Sequence, residues 1–362
     1  MLRLFFALLL FVATLAAQAQ TAQFLRQHDM AKWGVPAGNY SAIAHIGGNR
    51  YALVSDKQEA DGWQEVTIDF DAKGDIRRMS YVGPHFDSAS TPARDAEGIV
   101  VVRQPQFASG GTKPGEGTPF TVFISAESDQ EILELDSLGR TTDRRLAVPG
   151  WADTSSIFGN YGFEALAYDA RQDCFWTTTE QGLRRDVEAR TSADYPEPTL
   201  LRLLRFDRSL QLDAAFAYRT DRPTVRRATR TYAFGVPELT VLDDSTLLVL
   251  EREVAVTPRF NGSYVHHRLY SVRPELRQPV GSEVALSQLP TDDFLPKTKV
   301  GEFTTHLKLA GRKNLANYEG MCLGPTLPDG RQSLILVADS QNRMGNTLFR
   351  LKDYIRVAIL NP

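Results

Sequence analysis

The chain has 362 residues, and its 41 Lys and Arg almost balance its 44 Asp and Glu. A general nucleic-acid binder would carry a basic excess, so this class is excluded and we expect no nucleic-acid partner. The two cysteines, Cys174 and Cys322, lie in apolar runs far apart in the sequence. We therefore expect two buried free thiols in preference to a disulfide.

Residues 1–19 have the features of a signal peptide. Arg3 provides the positive segment, residues 4–15 are mostly apolar, and residues 17–19 form a small-x-small cleavage site. The apolar run is shorter than the roughly 20 residues that cross a bilayer, so we expect no membrane span. Cleavage after Ala19 would leave a mature protein of residues 20–362, which we expect to be secreted or periplasmic.

Short β-type runs follow one another along the mature chain, bounded by Gly, Pro, Asp and Asn. They include YALVSD (51–56), EGIVVVR (97–103), CFWTTTE (174–180), TLLVLERE (246–253) and LILVADS (334–340). Long amphipathic helical patterns do not occur, so the sequence predicts an all-β fold. Two inserts, the Gly- and Pro-rich segment 104–120 and the charged segment 180–198, are predicted to be exposed loops.

An internal repeat organises these strands. Its copies are DAEGIVV (95–101), GFEALAY (162–168), VPELTVL (236–242) and NYEGMCL (317–323), with a looser first copy, YSAIAHI (40–46). Each copy begins a unit of about four strands, as in the blades of a β-propeller. The sequence therefore predicts a single propeller domain over residues 20–362, with five blades and a sixth left open in region 252–310. The segment Gln23–Met30 is the candidate for the strand that completes the last blade.

Equivalent positions of propeller blades converge on the central channel. The repeat is therefore expected to bring four acids into one ring at one end of the channel: Glu97, Glu164, Glu238 and Glu319. A second acidic set ends the second strand of each blade: Asp56, Glu127, Glu180, Glu251 and Asp339. The first blade departs from the pattern because its inner strand lacks the Glu.

Neighbouring carboxylates repel one another, and their pKa values rise unless cations lie among them. Calcium, which takes about 6 to 8 oxygen ligands, is one candidate cation. Arginine, which pairs with carboxylates as a bidentate fork, is the other. Arg252 directly follows Glu251, and Arg343 lies four residues beyond Asp339. A third interpretation is architectural, with each acid fastening its blade to the next.

Four stretches taken together, GFEALAYD, TLLVLERE, NYEGMCL and ILVADSQNR, resemble the phytase-like family of exported bacterial β-propellers, also described as esterase-like activity of phytase. The resemblance covers nearly all of the mature chain. It implies a propeller whose acidic channel mouth binds calcium and acts on phosphate esters. The positions that match the family motif are Glu164, Glu238, Glu251, Arg252, Glu319, Asp339 and Asn342, and Glu97 matches it more weakly.

The leading hypothesis is a calcium-dependent phosphoric-ester hydrolase that acts as a monomer on a small phosphorylated or ester substrate. The predicted calcium ligands are Glu97, Glu164, Glu238, Glu319 and Asp339. The predicted catalytic residues are Glu164, Glu319, Arg252 and Arg343, of which one arginine holds the phosphate.

Two other hypotheses stay open. A lactonase or arylesterase of the regucalcin kind would use Glu, Asn and Asp around a divalent ion, and Asn160 and Asn317 lie next to Glu164 and Glu319. A non-catalytic propeller that binds a ligand would use the acids for architecture alone.

Overall fold

The computed structural model describes residues 20–58, 60–86, 94–103, 119–187, 197–225, 229–308, 310–345 and 349–362. The predicted signal peptide, residues 1–19, lies outside these ranges, as do most of segment 104–120 and residues 188–196 of the second insert. Within the described ranges, no helix is long and apolar enough to cross a membrane. The described chain forms five four-stranded antiparallel sheets.

Each sheet is one blade of a five-bladed propeller, so the predicted all-β propeller is confirmed. Blade 1 contains β2 (Tyr40–Gly47), β3 (Arg50–Ser55), β4 (Gly62–Phe70) and β5 (Ile76–Phe86). Blade 2 contains β6 (Ala96–Arg103), β7 (Phe120–Ala126), β8 (Ile132–Asp136) and β9 (Thr141–Arg145). Blade 3 contains β10 (Phe163–Asp169), β11 (Cys174–Thr179), β12 (Leu200–Phe206) and β13 (Leu212–Arg219).

The last two blades follow the same order from the inner to the outer strand. Blade 4 contains β14 (Thr231–Val241), β15 (Leu247–Val256), β16 (Ser263–Val272) and β17 (Lys297–Leu307). Blade 5 contains β18 (Asn317–Thr326), β19 (Gln332–Asp339), β20 (Tyr354–Asn361) and β1 (Thr21–Asp29). Six short 3-10 helices occur in the described residues: Met30–Trp33, Gly150–Ala152, Thr154–Ser156, Pro274–Leu276, Leu286–Gln288 and Thr291–Asp293.

The N-terminal strand closes the ring. β1 pairs antiparallel with β20, so the two ends of the described chain share blade 5. This confirms the assignment of Gln23–Met30 as the missing fourth strand. Region 252–310 holds the two outer strands of blade 4 and three 3-10 turns, which leaves five blades and no sixth.

The core lies between the faces of neighbouring blades. Leu53 and Ile68 of blade 1 pack in one buried cluster with Ile335, Val337 and Val357 of blade 5. Because both faces of a middle strand are covered, β3 and β19 are continuous apolar runs rather than alternating ones. Cys174 and Cys322 are both free, as expected; Cys174 is buried and Cys322 is partly buried.

Candidate functional site

A β-bulge near the start of each inner strand turns one residue out of the ladder. In blade 2, Ala96 pairs with Ala126 and Gly98 pairs with Ser125, which leaves Glu97 as the extra residue. A bulged residue is unpaired and its side chain is re-aimed, so this position is set apart from the rest of the strand.

The same bulge recurs in three other blades. It leaves Glu164 unpaired in blade 3 and Glu319 unpaired in blade 5. In blade 1 the bulged residue is Ser41, which stands where the other blades carry the acid. The structure thus brings Glu97, Glu164 and Glu319 to equivalent positions, as predicted, and adds a hydroxyl that the sequence pattern did not reveal.

Glu238 does not belong to this set. In blade 4, Glu238 pairs with Leu250 and the bulge ends at Pro237, so the repeat acid is displaced by one residue along the strand. Its Oε1 accepts hydrogen bonds from the backbone N–H groups of Leu166 (3.1 Å) and Leu239 (2.9 Å). The expected ring of four glutamates is therefore corrected to three. Glu238 fastens the inner strands of blades 3 and 4.

The second acidic set also changes in blade 4. In blades 1, 2, 3 and 5, two residues of the second strand pair with the residues on either side of the bulge, and the acid comes directly after them. In blade 2, for example, Glu127 follows Ser125 and Ala126. The corresponding residue in blade 4 is Arg252, because Leu250 takes the place of Ser125. Glu251 points to the opposite face, where it accepts a hydrogen bond from the Tyr218 hydroxyl (2.7 Å) and pairs with Lys297 (2.5 Å).

Arg252 neutralises one side of the channel mouth. Its two terminal nitrogens donate to the carboxylates of Glu319 and Glu180, and one of them also donates to Asn317 Oδ1 (3.3 Å). Asn317 Nδ2 in turn donates to Glu319 Oε1 (2.8 Å). Burial acts to lower the pKa of Arg252, but Glu180 and Glu164 raise it above the ordinary value. We call Arg252 and these acidic and amide partners the arginine half.

On the other side of the mouth, three carboxylates lie close together beside one lysine. One carboxylate oxygen from each of Asp56, Asp95 and Glu97 lies within 4.8 Å of the others. Lys57 pairs with Asp56 (2.6 Å) and with Asp95 (3.1 Å), but its side chain is 46% exposed, so solvent weakens this neutralisation. Asp95 has a left-handed backbone (φ 60°), a strained conformation that clusters at functional sites. We call Asp56, Asp95 and Glu97 the open half.

Several acids of the channel mouth have raised pKa values. Burial, followed by the charges of Glu127, Asp56 and Asp339, raises the pKa of Glu97 well above its usual range. Burial is likewise the largest cause that raises the pKa of Glu127 and of Asp339 to about 7. The mouth therefore lacks enough positive charge for all its carboxylates to ionise together.

The open half suits a hard cation. Ser41 is 3% exposed, and its hydroxyl acts to lower the pKa of the Glu97 carboxyl. This hydroxyl nevertheless forms no hydrogen bond of normal geometry. Asp56 Oδ1 is also buried without a hydrogen-bond partner. The donors are carboxylate and hydroxyl oxygens, which calcium prefers. These orphaned oxygens beside a carboxylate cluster fit a bound Ca²⁺.

A cavity of about 770 Å³ is lined in part by Lys57, which pairs with Asp56 and Asp95 of the open half. It lies above blade 1, and its lining includes Asn39, Ser55, Lys57 and Arg343. Arg343, predicted to hold a phosphate, therefore lies in this cavity and not with Arg252, whose terminal nitrogens are engaged by carboxylates.

Three histidines of the described chain make other contacts. His45 contacts the carbonyl oxygen of Gly48 at the far end of β2, and His85 contacts Glu65 in the outer part of blade 1. His267 is buried and accepts the backbone N–H of Tyr318 (3.1 Å). Sequence reasoning missed Ser41, Lys57 and Asp95 as site residues. The only available signal was Asp95, which stands two residues before Glu97 in the repeat.

The fold and the site define a five-bladed propeller with an acidic channel mouth. The profile of the phytase-like family, described as esterase-like activity of phytase, matches residues 35–341. The chain therefore belongs to this family, a class of propeller hydrolases, and the resemblance seen in its sequence is confirmed. No curated protein matches the chain in sequence.

Several solved structures are similar at low sequence identity. An α-L-arabinanase of Penicillium chrysogenum is 12% identical, with 93% of this chain and 98% of that chain covered and a TM-score of 0.41. The α-L-arabinofuranosidase Arb93A of Fusarium graminearum is 9% identical, with coverage of 95% and 97% and a TM-score of 0.37. The tail fibre of Staphylococcus aureus phage P68 is 13% identical, with a TM-score of 0.38, and 93% of this chain matches 52% of its length.

Proposed function

We propose that this protein is an exported, calcium-dependent hydrolase of phosphoric esters that works at the acidic mouth of the propeller channel. The observation that carries the proposal is the open half, where Asp56, Asp95 and Glu97 converge beside the orphaned hydroxyl of Ser41. Membership of the phytase-like family supports the ester as the bond that is cleaved.

The residues of the open half would hold the cation. Asp56, Asp95 and Glu97 supply carboxylate oxygens, and Ser41 supplies a hydroxyl. When bound, Ca²⁺ would supply Lewis-acid stabilisation of negative charge on the phosphoryl group. Because calcium favours ionised carboxylates, its binding would offset the repulsion between neighbouring carboxylates.

Other residues of the mouth provide proton transfer and positioning. Glu127 and Asp339, whose pKa values are about 7, can each accept a proton at neutral pH and are candidates for the general base. Arg252 acts as a positioning residue because it holds Glu180 and Glu319 in place. Arg343 is the arginine with access to a substrate anion.

The substrate is proposed to be a small phosphorylated compound, and the protein is proposed to act as a secreted or periplasmic monomer. The signal-peptide features of residues 1–19 support export.

The test is hydrolysis of p-nitrophenyl phosphate by the purified mature protein in calcium and in EDTA. We expect activity in calcium, its loss in EDTA, and its loss in Glu97→Gln. Asp143→Asn removes an exposed acid in blade 2 and serves as the matched control that keeps activity. Absence of calcium-dependent hydrolysis of any phosphoric ester would overturn the proposal.

A lactonase of the regucalcin kind is the alternative hydrolase. The contact of Asn317 with Glu319 favours it, since that family pairs Asn with Glu at a divalent ion. Arg252 occupies the same carboxylate, which argues against a cation there. A lactone panel run beside the phosphoric esters separates the two activities. A propeller that hydrolyses neither would be a non-catalytic binding protein.

A further inference from the structure

The cavity above blade 1 has the features of a ligand site. Its walls come from residues 36–40 at the start of β2, from the end of β3 and the β3–β4 loop, from β4 and β5, and from the turn at residues 342–343. Lys57 in its lining pairs with Asp56 and Asp95, so this lysine connects the cavity with the open half.

The turn that carries Arg343 is strained. Three successive residues, Gln341, Asn342 and Arg343, have left-handed backbones with φ of 49°, 54° and 54°. Such conformations persist only where the surroundings hold them. Buried Asn39 does so, because its Oδ1 accepts the backbone N–H of Asn342 (2.9 Å) and its Nδ2 donates to Asn342 Oδ1 (3.0 Å).

The guanidinium of Arg343 is available to a ligand. Its side chain has no hydrogen bond or ion pair among the described residues. Burial raises the pKa of the Asp353 carboxyl, and the charge of Arg343 acts at longer range to lower it. The oxygens of Asp353 already accept the backbone N–H groups of Gly38 (3.2 Å) and Asn39 (3.1 Å). The other cation in the lining, Lys57, is shared between two acids.

The cavity also has an aromatic part to its lining. Tyr81 and Phe86 line the cavity from β5, and the Tyr81 hydroxyl donates to Gln64 Oε1 (2.6 Å), which fixes its ring. Aromatic rings and an unpaired guanidinium in the lining of one cavity suit a flat ring with an anionic substituent.

We propose that this cavity binds the part of the substrate that leaves as the alcohol, and that this part is a ring carrying its own carboxylate or phosphate. Arg343 binds the anionic substituent as a bidentate fork. Tyr81 and Phe86 contact the ring. The inference rests on the proposed function only in that the ester of the same molecule would extend to the open half.

The binding experiment needs neither calcium nor turnover. The probe is 4-hydroxybenzoate, the alcohol released from 4-carboxyphenyl phosphate, titrated calorimetrically into the mature protein in EDTA and in calcium. We expect Arg343→Gln to weaken binding by about tenfold, the equivalent of one hydrogen bond to a charged group. We expect Arg343→Lys to be intermediate and Tyr81→Leu to weaken binding of the ring. Arg208→Gln, at an exposed turn of blade 3, is the matched control and should bind as the wild type does.

Phenol and phenyl phosphate complete the test. Phenol lacks the anion, so its weaker binding should be the same in the wild type and in Arg343→Gln. Whichever of 4-hydroxybenzoate and phenyl phosphate binds more tightly identifies the preferred anion. Equal affinities of Arg343→Gln and Arg208→Gln, or no binding by the wild type in either buffer, would overturn the inference. Arg343-dependent binding without any hydrolysis would support the subsite and refute the proposed function.

Discussion

The two halves of the channel mouth differ in how the repulsion between their buried carboxylates is offset. In the arginine half, a side chain of the protein itself pairs with Glu180 and Glu319. In the open half, Asp56, Asp95 and Glu97 converge beside the partly exposed Lys57, and the Ser41 hydroxyl forms no hydrogen bond of normal geometry. Arg252 neutralises its acids without a bound ion, whereas a site left short of positive charge can bind a cation from solution.

The largest expected effect comes from removing the built-in cation. Arg252→Met leaves Glu180 and Glu319 buried without their partner, which should lower the free energy of unfolding by about 3 to 5 kcal/mol. Urea denaturation measures this loss, with Arg208→Met as the exposed control. A loss below about 1 kcal/mol would mean that the arginine half does not depend on its ion pairs.

The free energy of unfolding should depend on pH more strongly in the metal-free protein than in the calcium-bound protein. Glu127 has a pKa of about 7 in the folded state, above the ordinary value of about 4.3 for an unfolded Glu. The folded state therefore binds more protons between these values, and stability should fall as pH rises from about 4 to 7.

Comparing the wild type with Glu127→Gln isolates this contribution. In EDTA the wild type should lose on the order of 2 kcal/mol more than Glu127→Gln across this pH range. Calcium should reduce the difference because it stabilises the ionised carboxylates. Parallel pH profiles of the two proteins in EDTA would contradict the account.

Asp95→Gly should weaken calcium binding while leaving the stability of the metal-free protein nearly unchanged. The change removes one carboxylate of the open half and relieves a left-handed residue, so the free energy of unfolding without calcium should change by less than about 1 kcal/mol. The rise in melting temperature on adding calcium should shrink. An unchanged calcium response would exclude Asp95 as a ligand.

Glu238→Gln should have the smallest effect. Burial raises the pKa of Glu238, and its Oε1 accepts two backbone N–H groups, both of which an amide oxygen can also accept. We expect stability to change by less than about 1 kcal/mol and the calcium response to stay at the wild-type value. A lost calcium response would restore Glu238 to the metal site.

The sequence predicted the fold well because blade strands carry their own signals. Apolar runs that end in acids marked the second strands, and the missing outer strand of blade 5 was found at the N-terminus. The site was predicted less well. A bulge is invisible to an alignment of repeat acids, so Glu238 was aligned with residues that it does not match in register.

The open half was predicted only in part, because Glu97 and Asp56 were among the repeat acids whereas their neighbours were not identified. Ser41 and Asp95 lie in two copies of the repeat and Lys57 follows a second-strand acid, but an alignment on the repeat acids does not show that these side chains meet. Arg252 was recognised as a possible partner of carboxylates, but its place in the ring followed only from the pairing of Gly235 with Arg252. Tertiary register, rather than residue type, decides which acids meet.

The central claim is that the open half binds Ca²⁺ and the arginine half does not. Calorimetric titration of calcium into the metal-free mature protein tests it most directly, using wild type, Glu97→Gln and Glu238→Gln. We predict that the wild type and Glu238→Gln bind calcium with the same affinity, and that Glu97→Gln loses binding. Absence of binding by the wild type, or equal affinity in Glu97→Gln, would contradict the claim.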